Sequence, residues 1–213
     1  MTVAAESGAH AHHHARRHTA RLLGAGLAGG IVVLAATLLL AGGGEHGSAL
    51  AARHTARFSA LWFLVAFAAG PLARLTRASW ARHLVRERRG IGLGFCAAHT
   101  VHLAAILLWL GHGGKAEGAT LAGGGLGYAW MFAMAATSHD AAVRRLGARR
   151  WLVLHTAGQY YLWFNFAQTY LGRVLAADAR PVHLALAVAV AAVMGLRLFT
   201  VRTRFDRRAS TTP

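Results

Sequence analysis

The sequence predicts an all-α membrane protein, a bundle of six transmembrane helices with both termini cytoplasmic. Composition is the first observation behind that reading. Of 213 residues, 55% are hydrophobic and 14% charged, and the mean hydropathy of +0.39 is too apolar for an ordinary soluble domain. Secondly, apolar runs near the ~20-residue spanning length recur six times along the chain. Thirdly, every second connection between those runs is basic, the pattern the positive-inside rule gives an even number of spans.

Taken in order, residues 1–20 read as a polar, disordered tail. Its His10, His12, His13, His14 and His18 form a short tract of the kind that binds Zn or Ni weakly. The six-helix domain occupies 21–201, with apolar runs at 22–41, 58–75, 91–110, 120–137, 152–171 and 182–201. The fourth run is glycine-rich through Gly123, Gly124, Gly125 and Gly127, and glycine lets neighbouring transmembrane helices approach closely. Residues 202–213 read as a basic C-terminal tail, too short to fold by itself.

The formal net charge is +16, but its placement argues against nucleic acid as a partner. Arginines cluster at predicted membrane ends: Arg82, Arg86, Arg88 and Arg89, then Arg144, Arg145, Arg149 and Arg150, then Arg202, Arg204, Arg207 and Arg208. There they meet anionic lipid headgroups. The alternate connections carry only Arg53, Arg57, Lys115, Arg173 and Arg180. The single Cys96 excludes a disulfide framework and reads as a small core residue. No cleavable signal peptide is expected, because the first apolar run is of spanning length without a clear cleavage site. The short connections leave no room for a flavin or nicotinamide domain, and no GxGxxG fingerprint follows a strand.

The third and fifth apolar runs carry histidine within them, an expensive residue in hydrocarbon and usually a functional one. The third reads RRGIGLGFCAAHTVHLAAILLWLGH. His99 and His102, three apart, share a helical face, with Gly90, Gly92 and Gly94 ahead of them. His112 follows about 15 Å further along the axis, at the outer end. The fifth reads RRWLVLHTAGQYYLWFNFAQTYLGR, with His155 near its start, Gly158 three residues on, and then Tyr160, Tyr161, Trp163, Phe164, Phe166 and Tyr170.

The third and fifth helices should run parallel, each starting from a basic cytoplasmic connection. Histidines on two such helices suit a b-type haem held between neutral imidazoles, with His102 and His155 as iron (metal) ligands. Arg57, Arg89 or Arg150 would neutralise its propionates. Counted from the basic flanks, His102 lies about seven residues deeper than His155, ~10 Å at helical rise. His99 matches that depth better and competes as the third-span ligand. A di-histidine metal site, a proton pathway and plain hydrogen-bonded burial remain open on the pattern alone. Against a cation pathway, the spans contain no Asp or Glu, since Asp140 and Asp178 fall in connections.

Three blocks resemble the ferric reductase-like transmembrane domain family, and within it the haem-binding membrane subunit of the bacterial periplasmic methionine sulfoxide reductase system. They are HTARFSALWFLVAFAAGPLAR (54–74), RRGIGLGFCAAHTVHL (88–103) and TSHDAAVRRLGARRWLVLH (137–155). The resemblance places His102 and His155 at haem-ligand positions. It implies a protein of the bacterial inner membrane that carries electrons through one haem b, or two. The donor would be a separate flavin reductase or quinol on the cytoplasmic side, and the acceptor a periplasmic protein. With both axial positions filled by protein, electron transfer is favoured over oxygen binding. Tyr160, Trp163 and Phe164 are candidates to line the ring.

The chain departs from the family pattern at Gln168, where a second fifth-span histidine often stands. Glutamine is a poor haem ligand, so a second haem would need an outer ligand from elsewhere, His112 or His54. His99 has no counterpart in the family pattern. Alternative readings are a metal-ion or proton transporter using the intramembrane histidines, and a structural subunit that keeps the family fold without cofactor.

Overall fold

The computed structural model describes the backbone of residues 2–176 and 179–209, and the side chains of 16–176 and 179–202. Among these the chain forms seven helices and no strand: α1 (Thr2–Ala41), α2 (Glu45–Thr76), α3 (Ser79–Gly111), α4 (Gly118–Ala136), α5 (Asp140–Leu146), α6 (Ala148–Leu175) and α7 (Pro181–Ala209). Four stretches are long and apolar enough to cross a membrane: Arg16–Ala41, Glu45–Thr76, Ser79–Gly111 and Pro181–Arg202. The helices α4 and α6 are not among these four. Glycines dilute α4, and α6 carries Gln159, Asn165, Gln168 and several Tyr and Trp. Neither contains an Asp, Glu, Lys or Arg between 118 and 136 or between 151 and 172.

Element boundaries differ from the sequence reading where polar residues sit on helices. Arg53, His54 and Arg57 belong to α2, not to a connection, because the helix starts at Glu45. An acidic first turn favours that start, and the Ser48 hydroxyl donates back to the carbonyls of Gly44 and Glu45. Likewise Arg82 to Arg89 ride on α3, leaving a turn at Arg77 and Ala78, with Arg77 at φ 52°. The helix α5 was not expected. The His139 side chain caps it by accepting from the Ala142 N–H, Asp140 and Arg144/Arg145 match the helix dipole, and Gly147 at φ 77° ends it. Helix α1 includes the backbone of the His-rich segment, where His18 is exposed. The side chains of His10, His12, His13 and His14 lie outside the described residues, as do those of the tail from 203 onward.

The chain folds as two compact units, Met1–Phe63 with Arg86–Ala116 and Leu64–Val85 with Glu117–Pro213. In the first, α1 lies against α3 at a glycine-to-glycine contact. A Cβ on Gly26 would run into the Gly94 backbone, and one on Gly90 would lie 3.2 Å from Thr19 Cα. That close approach is what small residues make possible in apolar helix pairs. Phe63 and Phe95 pack at 5.4 Å between ring centroids, and Ala51, Ala60, Ala98 and Ala105 fill the core between α2 and α3.

In the second unit α6 packs against α4, α5 and α7. Two aromatic side chains tie it by hydrogen bonds to carbonyls of its neighbours: Tyr161 Oη donates to Gly123 (3.0 Å) and Trp163 Nε1 to Val190 (3.0 Å). Phe67, Met131, Leu162, Phe166, Leu186 and Val190 form the core. In α2, Pro71 has no N–H to give the carbonyl of Phe67. Large apolar side chains cover the outside of the helices, among them Leu39, Leu40, Leu107, Leu152, Val153, Val188 and Leu198. Lipid would bury these, whereas water would not.

Candidate histidine site

In the first unit α2 offers two buried hydroxyls four residues apart, Thr55 and Ser59. On α3 stand two imidazoles three apart. Ser59 Oγ lies 2.8 Å from His99 Nδ1, and Thr55 Oγ1 lies 3.2 Å from His102 Nδ1. The pairing order reverses along the two helices, as antiparallel neighbours joined by a two-residue turn require. The His99 and His102 rings are 4.9 Å apart and inclined at 47°, and Phe95 stacks on His99 at 5.1 Å.

Hydrogen accounting fixes the tautomers. A hydroxyl has one proton to give. Thr55 gives its proton back to the Ala51 carbonyl (2.7 Å), and Ser59 gives its own to Ala56 (3.0 Å). The ring Nδ1–H must therefore donate to the oxygen in both pairs. The His102 ring also has a hydrogen bond to the backbone of Ala52, and a carbonyl can only accept. In both imidazoles Nε2 is then the nitrogen carrying the lone pair. His54 repeats the device across α1 and α2: Thr37 Oγ1 donates to Val33 (2.7 Å) and lies 3.1 Å from His54 Nδ1.

His155, in the second unit, is buried and held the other way round. Thr137 Oγ1 donates to Ala133 (2.7 Å) and lies 3.1 Å from His155 Nε2, so Nε2 donates and Nδ1 carries the lone pair. Trp151 stacks on the ring at 4.1 Å and 27°, while its Nε1 donates to the Thr137 carbonyl (2.9 Å). Gly158 makes room one turn on, but for Met134, whose Sδ would be 2.8 Å from a Cβ there.

The remaining predicted site residues fall in different surroundings. Trp163 is half-buried and committed to Val190. Tyr160 is half-buried and meets Phe67 edge-on at 6.0 Å. Phe164, Gln168 and His112 are exposed. The structure thus joins His99 to His102 and sets His155 with Trp151 and Thr137.

A b-type haem asks for imidazoles whose distal nitrogen holds a lone pair while the other N–H is anchored. His99 and His102 fit that demand through Nε2. His155 fits it less well as folded, since its Nε2–H is held by Thr137 and its lone pair sits on Nδ1. No group of three or more His, Cys, Asp or Glu is placed to hold a metal ion among the described residues.

Sequence reasoning missed the four hydroxyls, Thr37, Thr55, Ser59 and Thr137. Their signal was Ser or Thr inside an apolar helix, where the hydroxyl bonds back one turn and still accepts from a neighbour. It also missed Arg197, an arginine within the last apolar run. Arg197 stacks over Phe67 (4.3 Å) and Tyr160 (4.8 Å) and reaches Gln159 Oε1 at 3.4 Å.

No protein-family model matches the chain, and neither does any curated protein or solved structure.

Proposed function

We propose that this chain is a b-haem electron-transfer protein of a bacterial inner membrane. In this reading α1, α2, α3, α4, α6 and α7 are six spans, and both termini are cytoplasmic. Supporting the span count are the uncharged stretches of α4 and α6 and the basic connections, Arg77 with Arg82 to Arg89 and then Arg144 to Arg150, on one side.

The observation that carries the proposal is the pair of α3 imidazoles with Nδ1–H anchored to spent hydroxyls. Anchoring of this kind orients a ligand ring and raises its basicity. It places two part-buried polar pairs between apolar helices, which packing alone does not require. His102, by the resemblance, or His99, by depth, is the α3 ligand. By the resemblance His155 is the other ligand residue, and to offer Nε2 its ring would have to give up the bond to Thr137. When bound, the haem would supply a one-electron ferric/ferrous couple. The chain's own hydroxyls hold the two α3 rings in one tautomer.

Electrons would come from a separate flavin reductase or quinol and leave to a periplasmic acceptor protein. Purified protein should show a Soret band and a reduced α-band, with His102→Ala or His155→Ala lowering haem content sharply. Spectra unchanged in both variants, and in His99→Ala, would sink the ligand assignment.

A further inference from the structure

Arg197 carries its charge into the middle of apolar helices. Its guanidinium lies over the faces of Phe67 (4.3 Å) and Tyr160 (4.8 Å) and donates to Gln159 Oε1 at 3.4 Å. Gln159 stands nine residues beyond Arg150 on α6, about 13.5 Å along the axis. Phe67 stands seven residues before Arg74 on α2, about 10.5 Å. A guanidinium stays protonated there, and a charge at such depth is costly unless an anion meets it. The three helices that hold it carry few acids. Helix α6 contains no Asp or Glu, α2 has only Glu45 in its first turn, and α7 has none before Asp206. The two rings attract the cation through their faces, and a carboxylate matches the planar fork by two parallel N–H···O bonds.

What lies one turn away says which carboxylate. Gln159 follows His155 by four residues, so the two share a face of α6, about 6 Å apart along the axis. His155 is buried there, and Gln159 and Arg197 are half-buried. Phe67, His155, Gln159, Tyr160 and Arg197 all belong to one compact unit. Arg150, the arginine of α6 that the sequence offers to a propionate, is instead exposed at the helix start. We infer that Arg197, seated on Phe67 and Tyr160 and steadied by Gln159, binds a propionate carboxylate of a haem whose iron His155 ligates. This inference rests on the haem reading proposed above and adds to it a buried partner for the carboxylate.

Titration of the full chain in detergent, depleted of haem, with haem and with haem dimethyl ester tests it. The ester keeps the ring and the iron but has no carboxylate charge, and the Soret band reports binding of either. The unaltered chain should prefer haem by about tenfold or more, the worth of a charge-assisted pair. In Arg197→Gln, at unchanged helix content, that preference should fall about tenfold through weaker haem binding, with ester binding unchanged. A preference as large in Arg197→Gln as in the unaltered chain overturns the inference and leaves the haem reading standing. Equal affinity of the unaltered chain for haem and ester does the same. Absence of any Soret band from the unaltered chain overturns both. Should Arg197→Gln fail to fold, Arg197→Lys takes its place. An ammonium keeps the charge but not the fork, so the preference should shrink, and an undiminished one overturns the assignment to Arg197.

Discussion

Ser59 and His99 are joined by a 2.8 Å hydrogen bond in which the imidazole is the donor, because the serine proton is already spent on the Ala56 carbonyl. The same arithmetic holds for Thr55 with His102, Thr37 with His54 and Thr137 with His155. In each case a back-bonded hydroxyl chooses which ring nitrogen keeps its lone pair. The first three choose Nε2, and the fourth chooses Nδ1.

Removing one acceptor should therefore strand a part-buried N–H. Ser59→Ala is expected to cost about 1–3 kcal/mol of stability. Ser59→Ala combined with His99→Leu should cost less than the sum of the two single changes, since the stranded donor is gone. Thermal unfolding in detergent reads both, and an additive pair would show that the bond contributes nothing.

Thr137→Val bears on His155 alone. It removes the acceptor that holds Nε2–H and lets the ring choose the other tautomer. If His155 ligates iron through Nε2, haem content per protein should hold or rise in this variant, while Thr55→Val should lower it by freeing the His102 ring. Loss of haem in Thr137→Val at normal folding would count against ligation through Nε2.

The contact between Gly26 and Gly94 tolerates no side chain, whereas Gly24 faces open space with nothing within 4 Å of a Cβ. Gly26→Leu should destabilise the protein by about 1–3 kcal/mol or more as α1 is forced off α3. Gly24→Leu should be close to neutral. Similar melting temperatures for the two variants would remove the close packing from the account.

Span number is decided by which face each connection meets. In a Cys96→Ser background, Lys115→Cys and Arg180→Cys should react with an impermeant maleimide from outside intact cells. Arg77→Cys and Arg149→Cys should react only after lysis. Labelling of Arg149→Cys from outside, together with Lys115→Cys, would instead leave α4, α5 and α6 on one side of the membrane and four helices across it.

Much of the helical architecture was legible in the sequence because hydropathy is a sum over residues. A run such as 22–41 or 182–201 is apolar whatever it touches, and a helix is the structure that satisfies its backbone in lipid. The boundaries were less legible. Arg53, His54 and Arg57 look like a connection when counted as charges, yet the alanines around them and the acidic first turn carry the helix through. The helix α5 was hidden because seven residues are too few to show a period, and its cap is a histidine side chain instead of the common Ser, Thr, Asp or Asn.

For the site, the chain by itself determined which residues are out of place in hydrocarbon: His99, His102 and His155, and equally Arg197, whose signal was there to be read. It also fixed that His99 and His102 share a face, since 3.6 residues per turn allow nothing else. What only the tertiary structure decided is how each ring is held. Hydrogen bonds between residues 40 and 47 positions apart, Ser59 to His99 and Thr55 to His102, leave no trace in local pattern. They depend on the antiparallel register of α2 against α3. That register turns two histidines of identical sequence chemistry to His155 into donors of the opposite nitrogen, because a proton goes where an acceptor stands, and the acceptor is supplied by another helix.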